Sequence, residues 1–422
     1  MKILHTVEYY HPSLGGAQEV VRQVSEFLAA HGHDITVATT RLNNRKNRII
    51  NGVKIEEFDI SGNAVEGMQG EIDRYQRFLL EGKFDIMMNY AAQQWTMDAA
   101  FPILDRIPYK KVMVPCGFSN LFNPKYSVYF QNIPKAMKQY DQLIFHTSHY
   151  RDIDFAHKHG IDHYSLIPNG ASQSEFSSPD LTFRQRNNIP NDVPMLLTVG
   201  SHTGMKGHQL VLEAFRQLQT KNGVLVIIGN MVESVNLWQC FLRPLLGTIS
   251  KGKVHQAAQL ILRTTFGGIG PGCIPDCKMR SSLINIAAKG QKRVILLDPP
   301  RKEVVAALHA ADLFVFGSNI EYSPLVLFEA MAASTPFLSL ACGNAAEIAS
   351  WGGGGVIAPT IQKENGMAEG DPSEFAIAID DLLQNGTERL NLAKTGHSAW
   401  LKQFTWEKIA PQYEKLYQEI LL

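Results

Sequence analysis

Short, almost wholly apolar runs alternate with amphipathic stretches along this chain, and the alternation is played through twice. In the first pass Lys2 to Val7, Asp34 to Thr39, Phe84 to Met88, Lys111 to Val114 and Gln142 to Phe145 read as buried strands. Val20, Val21, Val24, Phe27 and Leu28 recur at three- to four-residue spacing and predict a helix from Ala17 to His31, stopped by Gly32. In the second pass Met195 to Val199, Val224 to Ile228, Arg293 to Leu297, Leu313 to Phe316 and Phe337 to Leu340 read as strands, with a helix over His208 to Leu218. Strands separated by helices imply right-handed βαβ units and parallel sheets. A polar stretch, 170–194, ends in Ile189-Pro190-Asn191-Asp192-Val193-Pro194 and reads as the connection between the halves. The expected fold class is α/β, with two Rossmann-like doubly wound domains over 1–172 and 190–404. A last amphipathic helix, 405–422, carries Trp406, Ile409, Tyr413, Leu416, Tyr417 and Ile420 on one side.

Composition removes several functions. Lys plus Arg equal Asp plus Glu at 40 each in 422 residues, which argues against a nucleic-acid binder. Five cysteines are not a disulfide framework. Cys273 and Cys277 are the only close pair; with no second pair nearby they read as free thiols, and no metal ligand is assigned. Glu8 comes too early for a signal peptide and no run approaches the ~20 apolar residues of a membrane span, so a cytoplasmic protein is expected, possible association with a membrane face aside.

The balanced total conceals one unbalanced segment. About 60 residues separate the strands at Ile228 and Arg293, where a crossover needs about half that. Residues 234–293 hold nine bases and one acid, Asp276. Within them Trp238, Phe241, Leu242, Leu245 and Leu246 stand at helical spacing beside Arg243, Lys251 and Lys253, a pattern of an extra helix packed on the C-terminal domain, of a segment on an anionic membrane or of a partner-protein contact. Arg41, Arg45, Lys46 and Arg48 put four bases into eight residues, a solvated loop or a contact for anionic lipid or a phosphate-linked acceptor.

The strongest chemical signal is Glu321-Tyr-Ser-Pro-Leu-Val-Leu-Phe-Glu329. Ser323 suits an N-cap and Pro324 a first helical position, so a helix should start here with the N–H groups near Leu325 and Val326 open to an anion. Glu321 before the helix and Glu329 inside it can accept hydrogen bonds from hydroxyls on either side of a bound diphosphate, the layout of a nucleotide sugar. Gly200 to Gly207 follows a strand and offers Lys206 for phosphate, without the Gly-Lys-Ser/Thr of a Walker A loop. Gly15-Gly16 opens another such loop, and Gly267 to Gly272 is no dinucleotide fingerprint because Cys273 takes the place of its last glycine. All these loops follow strands and so open toward one interdomain cleft.

In order along the chain, Gly15-Gly16, Gly32-His33, Ile167-Pro168-Asn169-Gly170, Lys206-Gly207, Ala311-Asp312, the Glu-x7-Glu segment with Ala330-Met331-Ala332 and Thr335-Pro336, and Phe404-Thr-Trp406-Glu407 resemble the GT-B retaining glycosyltransferases of family GT4. The resemblance implies that Glu321 binds donor-sugar hydroxyls, Glu329 the ribose, and Lys206 the departing diphosphate. Gly15 and Gly16 would admit donor phosphate and acceptor, and the final helix would cross back onto the N-terminal domain. It implies a UDP- or GDP-sugar donor, a glycan or lipid-linked acceptor, no cofactor and no metal. Ser201 and His202 stand where the family usually carries an arginine, and Cys116 where many relatives carry a histidine. Cys116, His146 and Asn169 are the acceptor-side candidates, although a core role for His146 is the plainer reading. Two other readings are a non-catalytic GT-B protein that binds a nucleotide sugar or partner, and a GT-B nucleotide-sugar epimerase.

Overall fold

The computed structural model describes residues 1–230, 273–288 and 291–422. The amphipathic segment around Trp238 lies outside the described residues.

The N-terminal strands are β1 (Lys2–Thr6), β2 (Asp34–Thr40), β3 (Ile49–Ile50), β4 (Val53–Phe58), β5 (Ile86–Tyr90), β6 (Lys110–Val114), β7 (Gln142–Phe145) and β8 (Tyr164–Leu166). They form one sheet in the order β8-β7-β6-β5-β1-β2-β4-β3, parallel except for the β3–β4 edge pair. Residues alternate across it. Leu4, Met87, Met113 and Leu143 enter one core, while Ile3, Ile86, Met88, Val112 and Ile144 enter the other. That is why these strands read as continuous apolar runs. The second sheet, β9 (Met195–Val199), β10 (Gly223–Ile228), β11 (Lys292–Leu297), β12 (Leu313–Phe316), β13 (Phe337–Ser339) and β14 (Gly355–Ile357), is parallel throughout, in the order β11-β10-β9-β12-β13-β14.

Local chemistry moved some boundaries. The run expected from Phe84 starts at Ile86 instead, because Phe84 packs edge-on against Phe78 and Tyr109 while Asp85 accepts the Lys2 N–H at 2.7 Å. It extends to Tyr90 because Asn89 is satisfied inside, donating to Thr6 and accepting from Tyr140. The stretch 170–194 is anchored rather than free: Phe176, Phe183 and Ile189 are buried in the C-terminal core. The chain passes between the halves a second time at Thr405, which bridges to Ala171. The last helix, Trp406–Leu421, buries Trp406, Ile409, Tyr413, Leu416 and Tyr417 against Val20, Val24 and Val7 of the N-terminal half. Each such burial contributes about 1.5–3 kcal/mol before entropy is counted. Among the described residues no helix is long and apolar enough to cross a membrane.

The basic loop after β2 is largely neutralised. Arg45 is buried, paired with Glu57 at 2.5 Å and donating to the carbonyls of His11, Thr40 and Tyr10. Arg48 reaches the other Glu57 oxygen at 2.6 Å, and Arg41 reaches Glu71 at 3.0 Å. Four free charges are therefore not displayed there.

The terminal helix is fastened by His5, whose ring nitrogens lie 2.7 Å from Ser25 Oγ and 3.0 Å from Tyr417 Oη. Burial pushes the His5 pKa down to about 3, so the ring is neutral and needs both partners. Tyr417→Phe leaves one nitrogen unpaired and should lower unfolding stability by about 1–3 kcal/mol in denaturant titrations.

Candidate functional site in the interdomain cleft

The loops after β1, β9 and β12 and those after β6 and β8 meet at the carboxyl ends of the strands, as open α/β sheets place their sites. They line a cavity of about 310 Å³. From the N-terminal half come Gly16, Tyr90, Cys116 and Asn169; from the C-terminal half come Gly200, Lys206, Glu321, Ser323, Pro324, Leu325 and Val326.

Lys206 and Glu321, 115 residues apart, are joined here: Lys206 Nζ donates to Glu321 Oε1 at 2.6 Å. The same oxygen accepts from Ser318 Oγ at 2.8 Å. Gly207, at φ 67°, lets this loop approach, since a Cβ there would lie 1.7 Å from the Gly317 carbonyl oxygen. The helix at the cleft runs Leu325–Ala332, so its first N–H groups face the cavity without intrahelical partners. Its cap differs from expectation by one residue: Pro324 holds the N-cap position at φ −70° and ψ 113°. Ser323 Oγ is therefore released from capping, and it is buried without a hydrogen-bond partner.

Glu329 is buried one turn further in, and its partner was missed in the sequence. Arg301 Nη2 donates to Glu329 Oε1 at 2.7 Å and to Glu175 Oε2 at 2.8 Å. Burial alone would lower the Arg301 pKa, but the Glu329 and Glu175 carboxylates outweigh it and raise the value. The signal available was Pro299-Pro300-Arg301, a helix start directly after β11 and thus at the same end of the sheet.

The remaining candidates divide. Asn169 lines the cavity and donates to the Ser323 carbonyl at 3.1 Å, with its Oδ1 buried and unpaired. Cys116 lines it too; burial and then the nearby Asp152 carboxylate push its thiol up to about 12, so it is neutral near pH 7 and no thiolate nucleophile. Gly16 faces it, and a Cβ there would meet nothing within 4 Å. Gly15 precedes the helix as its N-cap. His146 is a core residue outside the cavity wall: its Nδ1 donates to the Ile167 carbonyl at 2.7 Å, leaving Nε2 to accept from Tyr90 Oη at 2.9 Å. Ser201 is half-buried and away from the cavity lining. His202 is buried and turned away toward His208 and Cys273.

Two facing Rossmann-like sheets with the site between them define the GT-B fold. Solved structures agree: the chain superposes over 99% of its length on 98% of sucrose-phosphate synthase from Thermosynechococcus elongatus, with TM-score 0.74 and 17% identity. It covers all of the Anabaena Alr3699/HepE chain, solved in complex with UDP and glucose, with TM-score 0.67 and 14% identity over 99% of this chain. Residues 252–385 match the family model described as Glycosyl transferases group 1, so the chain carries that domain. It is 26% identical over 257 residues, 60% of this chain, to the lipopolysaccharide 1,2-N-acetylglucosaminetransferase of Salmonella typhimurium, spanning about half (55%) of that protein's length.

Arg301 and Glu329 should couple energetically. Arg301→Ala strands a buried carboxylate and should cost about 1–2 kcal/mol, and Glu329→Gln in the same chain should recover part of that loss in a double-mutant cycle. Additive effects would show that the pair contributes nothing jointly.

Proposed function

We propose that this chain is a retaining glycosyltransferase of the GT4 type, moving a sugar from a UDP- or GDP-sugar to a glycan or lipid-linked acceptor of the cell surface. The observation that carries the reading is the convergence in one cavity of Lys206, Glu321, the N-terminus of the helix Leu325–Ala332 and, from the opposite domain, Gly16. A donor laid across them sets its diphosphate on the helix N–H groups, where the dipole favours anions. Lys206 then neutralises charge that grows on the leaving phosphate, a stabilisation realised in the transition state. Glu321 accepts from sugar hydroxyls and Glu329 from the ribose once Arg301 gives way. In transfer the bond from the sugar's anomeric carbon to the phosphate oxygen breaks. The acceptor oxygen bonds to the same face, and its proton passes to the departing diphosphate. Charge on the leaving group is carried by Lys206 and backbone, with no metal assigned to that task.

Cys116 and Asn169 border the acceptor side from the N-terminal half. The similarity to a lipopolysaccharide transferase supports an acceptor of the cell-surface class. Such acceptors are met from the cytoplasm at a membrane face, for which the basic segment 234–293 is the better candidate, since the 41–48 loop is mostly paired internally.

Two variants test the reading. Glu321→Gln keeps the volume but weakens the hold on the sugar and on Lys206, and should lower turnover with the accepted nucleotide sugar at least tenfold. Gly16→Ala should leave the melting temperature unchanged or slightly raised, because the added methyl meets no protein atom, yet lower donor-dependent turnover similarly. Full rates in both variants would remove the cavity from the reaction.

A further inference from the structure

The loop that presents Lys206 is flanked by two histidines that the cavity does not use. His202 and His208 stand four residues before and two after Lys206, and neither they nor Cys273 and Cys277 line the cavity. The fold gathers these four side chains. Cys273 is the N-cap of the helix Ile274–Ala287 and Cys277 lies one turn inside it, so both thiols share one helix face. His208 opens the helix His208–Gln217, and the Cys273 N–H donates to the His202 carbonyl at 3.0 Å, locking loop to helix.

We propose that His202, His208, Cys273 and Cys277 form a structural zinc site that fixes the Lys206 loop. All four potential ligand atoms lie within 4.8 Å of one another. Zn–S of about 2.3 Å and Zn–N of about 2.0–2.1 Å set tetrahedral edges of about 3.3 Å between nitrogens and about 3.6 Å between nitrogen and sulfur. Here His202 Nδ1 and His208 Nδ1 are 3.1 Å apart, and Cys273 Sγ lies 3.4 Å from the first and 3.6 Å from the second. Three of the donor atoms are thus already spaced as one face of a zinc tetrahedron, with Cys277 Sγ within 4.8 Å of them as the fourth.

The chemistry of the set agrees with the spacing. The four residues are 5%, 1%, 6% and 0% exposed, so the cluster is closed to water. Two Nδ1 atoms at 3.1 Å are held together either by one shared proton or by one cation that takes both lone pairs, and a cation also takes the two sulfurs beside them. Two thiolates and one divalent ion sum to zero, which suits a buried position where net charge is costly. Two sulfur and two imidazole donors in a tetrahedron select zinc over the octahedral, oxygen-seeking ions. Four protein ligands leave no open position, so the ion is structural and stands apart from any charge-neutralising task in the cleft. The sequence hides the site because its halves, His-x5-His and Cys-x3-Cys, are separated by 64 intervening residues.

The test uses the full chain, purified without chelator or histidine tag from zinc-supplemented cells. Elemental analysis should find about one zinc per chain, and cobalt exchanged into the metal-stripped protein should give the intense visible bands of tetrahedral Co(II) with a near-ultraviolet thiolate charge-transfer band. Cys273→Ser and His208→Asn should each drop the zinc content several-fold, while Cys116→Ser keeps it. Zinc added back to the stripped protein should raise its melting temperature, as any ligand of the folded state does. Less than about a tenth of an equivalent of zinc together with pale octahedral cobalt spectra, or zinc content indifferent to both ligand variants, would overturn the site. The wild-type cobalt spectrum decides the matter even if the variants fail to fold.

Discussion

The ion pair between Lys206 and Glu321 is the constraint around which the cleft is arranged. It joins the loops that follow β9 and β12, adjacent strands of one sheet, at 2.6 Å. Glu321 is mostly buried and Lys206 partly so, and the desolvation of such a pair offsets much of its attraction. Its effect is positional more than stabilising. It holds a cation and an acceptor group at the mouth of a helix N-terminus, with Ser318 fixing the carboxylate from behind. Stability comes instead from the two sheets and their buried faces.

The residue next to Glu321 carries the same organisation across the cleft. Tyr322 inserts into the N-terminal domain, where its hydroxyl accepts the His146 N–H at 3.0 Å and its ring lies against Tyr150. Gly117, at φ 88°, makes room, since a Cβ there would come within 2.8 Å of the Tyr322 ring. Tyr150 in turn donates to the Glu321 carbonyl, Asn169 to the Ser323 carbonyl, and Asn344 to the His146 carbonyl. The motif Glu321-Tyr322-Ser323 is thus gripped by backbone and side-chain bonds from the opposite domain. Cleft geometry and domain closure are one structural problem, and this accounts for the core role of His146.

Much of this was legible in the chain. Parallel strands buried on both faces announce themselves as apolar runs, and β7, β9 and β12 lie where those runs predicted. Lys206, Glu321, Gly16 and Asn169 meet in one cavity because each follows a strand, a rule that needs no knowledge of distance. The rest was hidden for physical reasons. β4, reading Val-Lys-Ile-Glu-Glu-Phe, exposes Lys54 and buries Glu57 only by pairing it with Arg45, and so lacks an apolar run. Pro299-Pro300 places Arg301 at the right end of the sheet, but its two carboxylate partners, 126 and 28 residues away, are not visible in the sequence. His202 stands where the family usually carries an arginine, but its ring is drawn to His208 and Cys273, partners that spacing could not reveal. The bases at 41–48 look like a free patch until their acids, Glu57 and Glu71, arrive from other elements.

The proposed transfer requires that this cleft read a diphosphate. Isothermal titration of UDP against UMP into the wild-type chain and into Lys206→Ala tests it most directly. UDP should bind at least about tenfold more tightly than UMP, a difference of about 1.4 kcal/mol, and Lys206→Ala should abolish most of this margin while changing UMP affinity little. A GDP and GMP pair serves equally if guanine is the accepted base. Equal affinities for mono- and diphosphate in the wild type, or a margin that survives loss of Lys206, would contradict it.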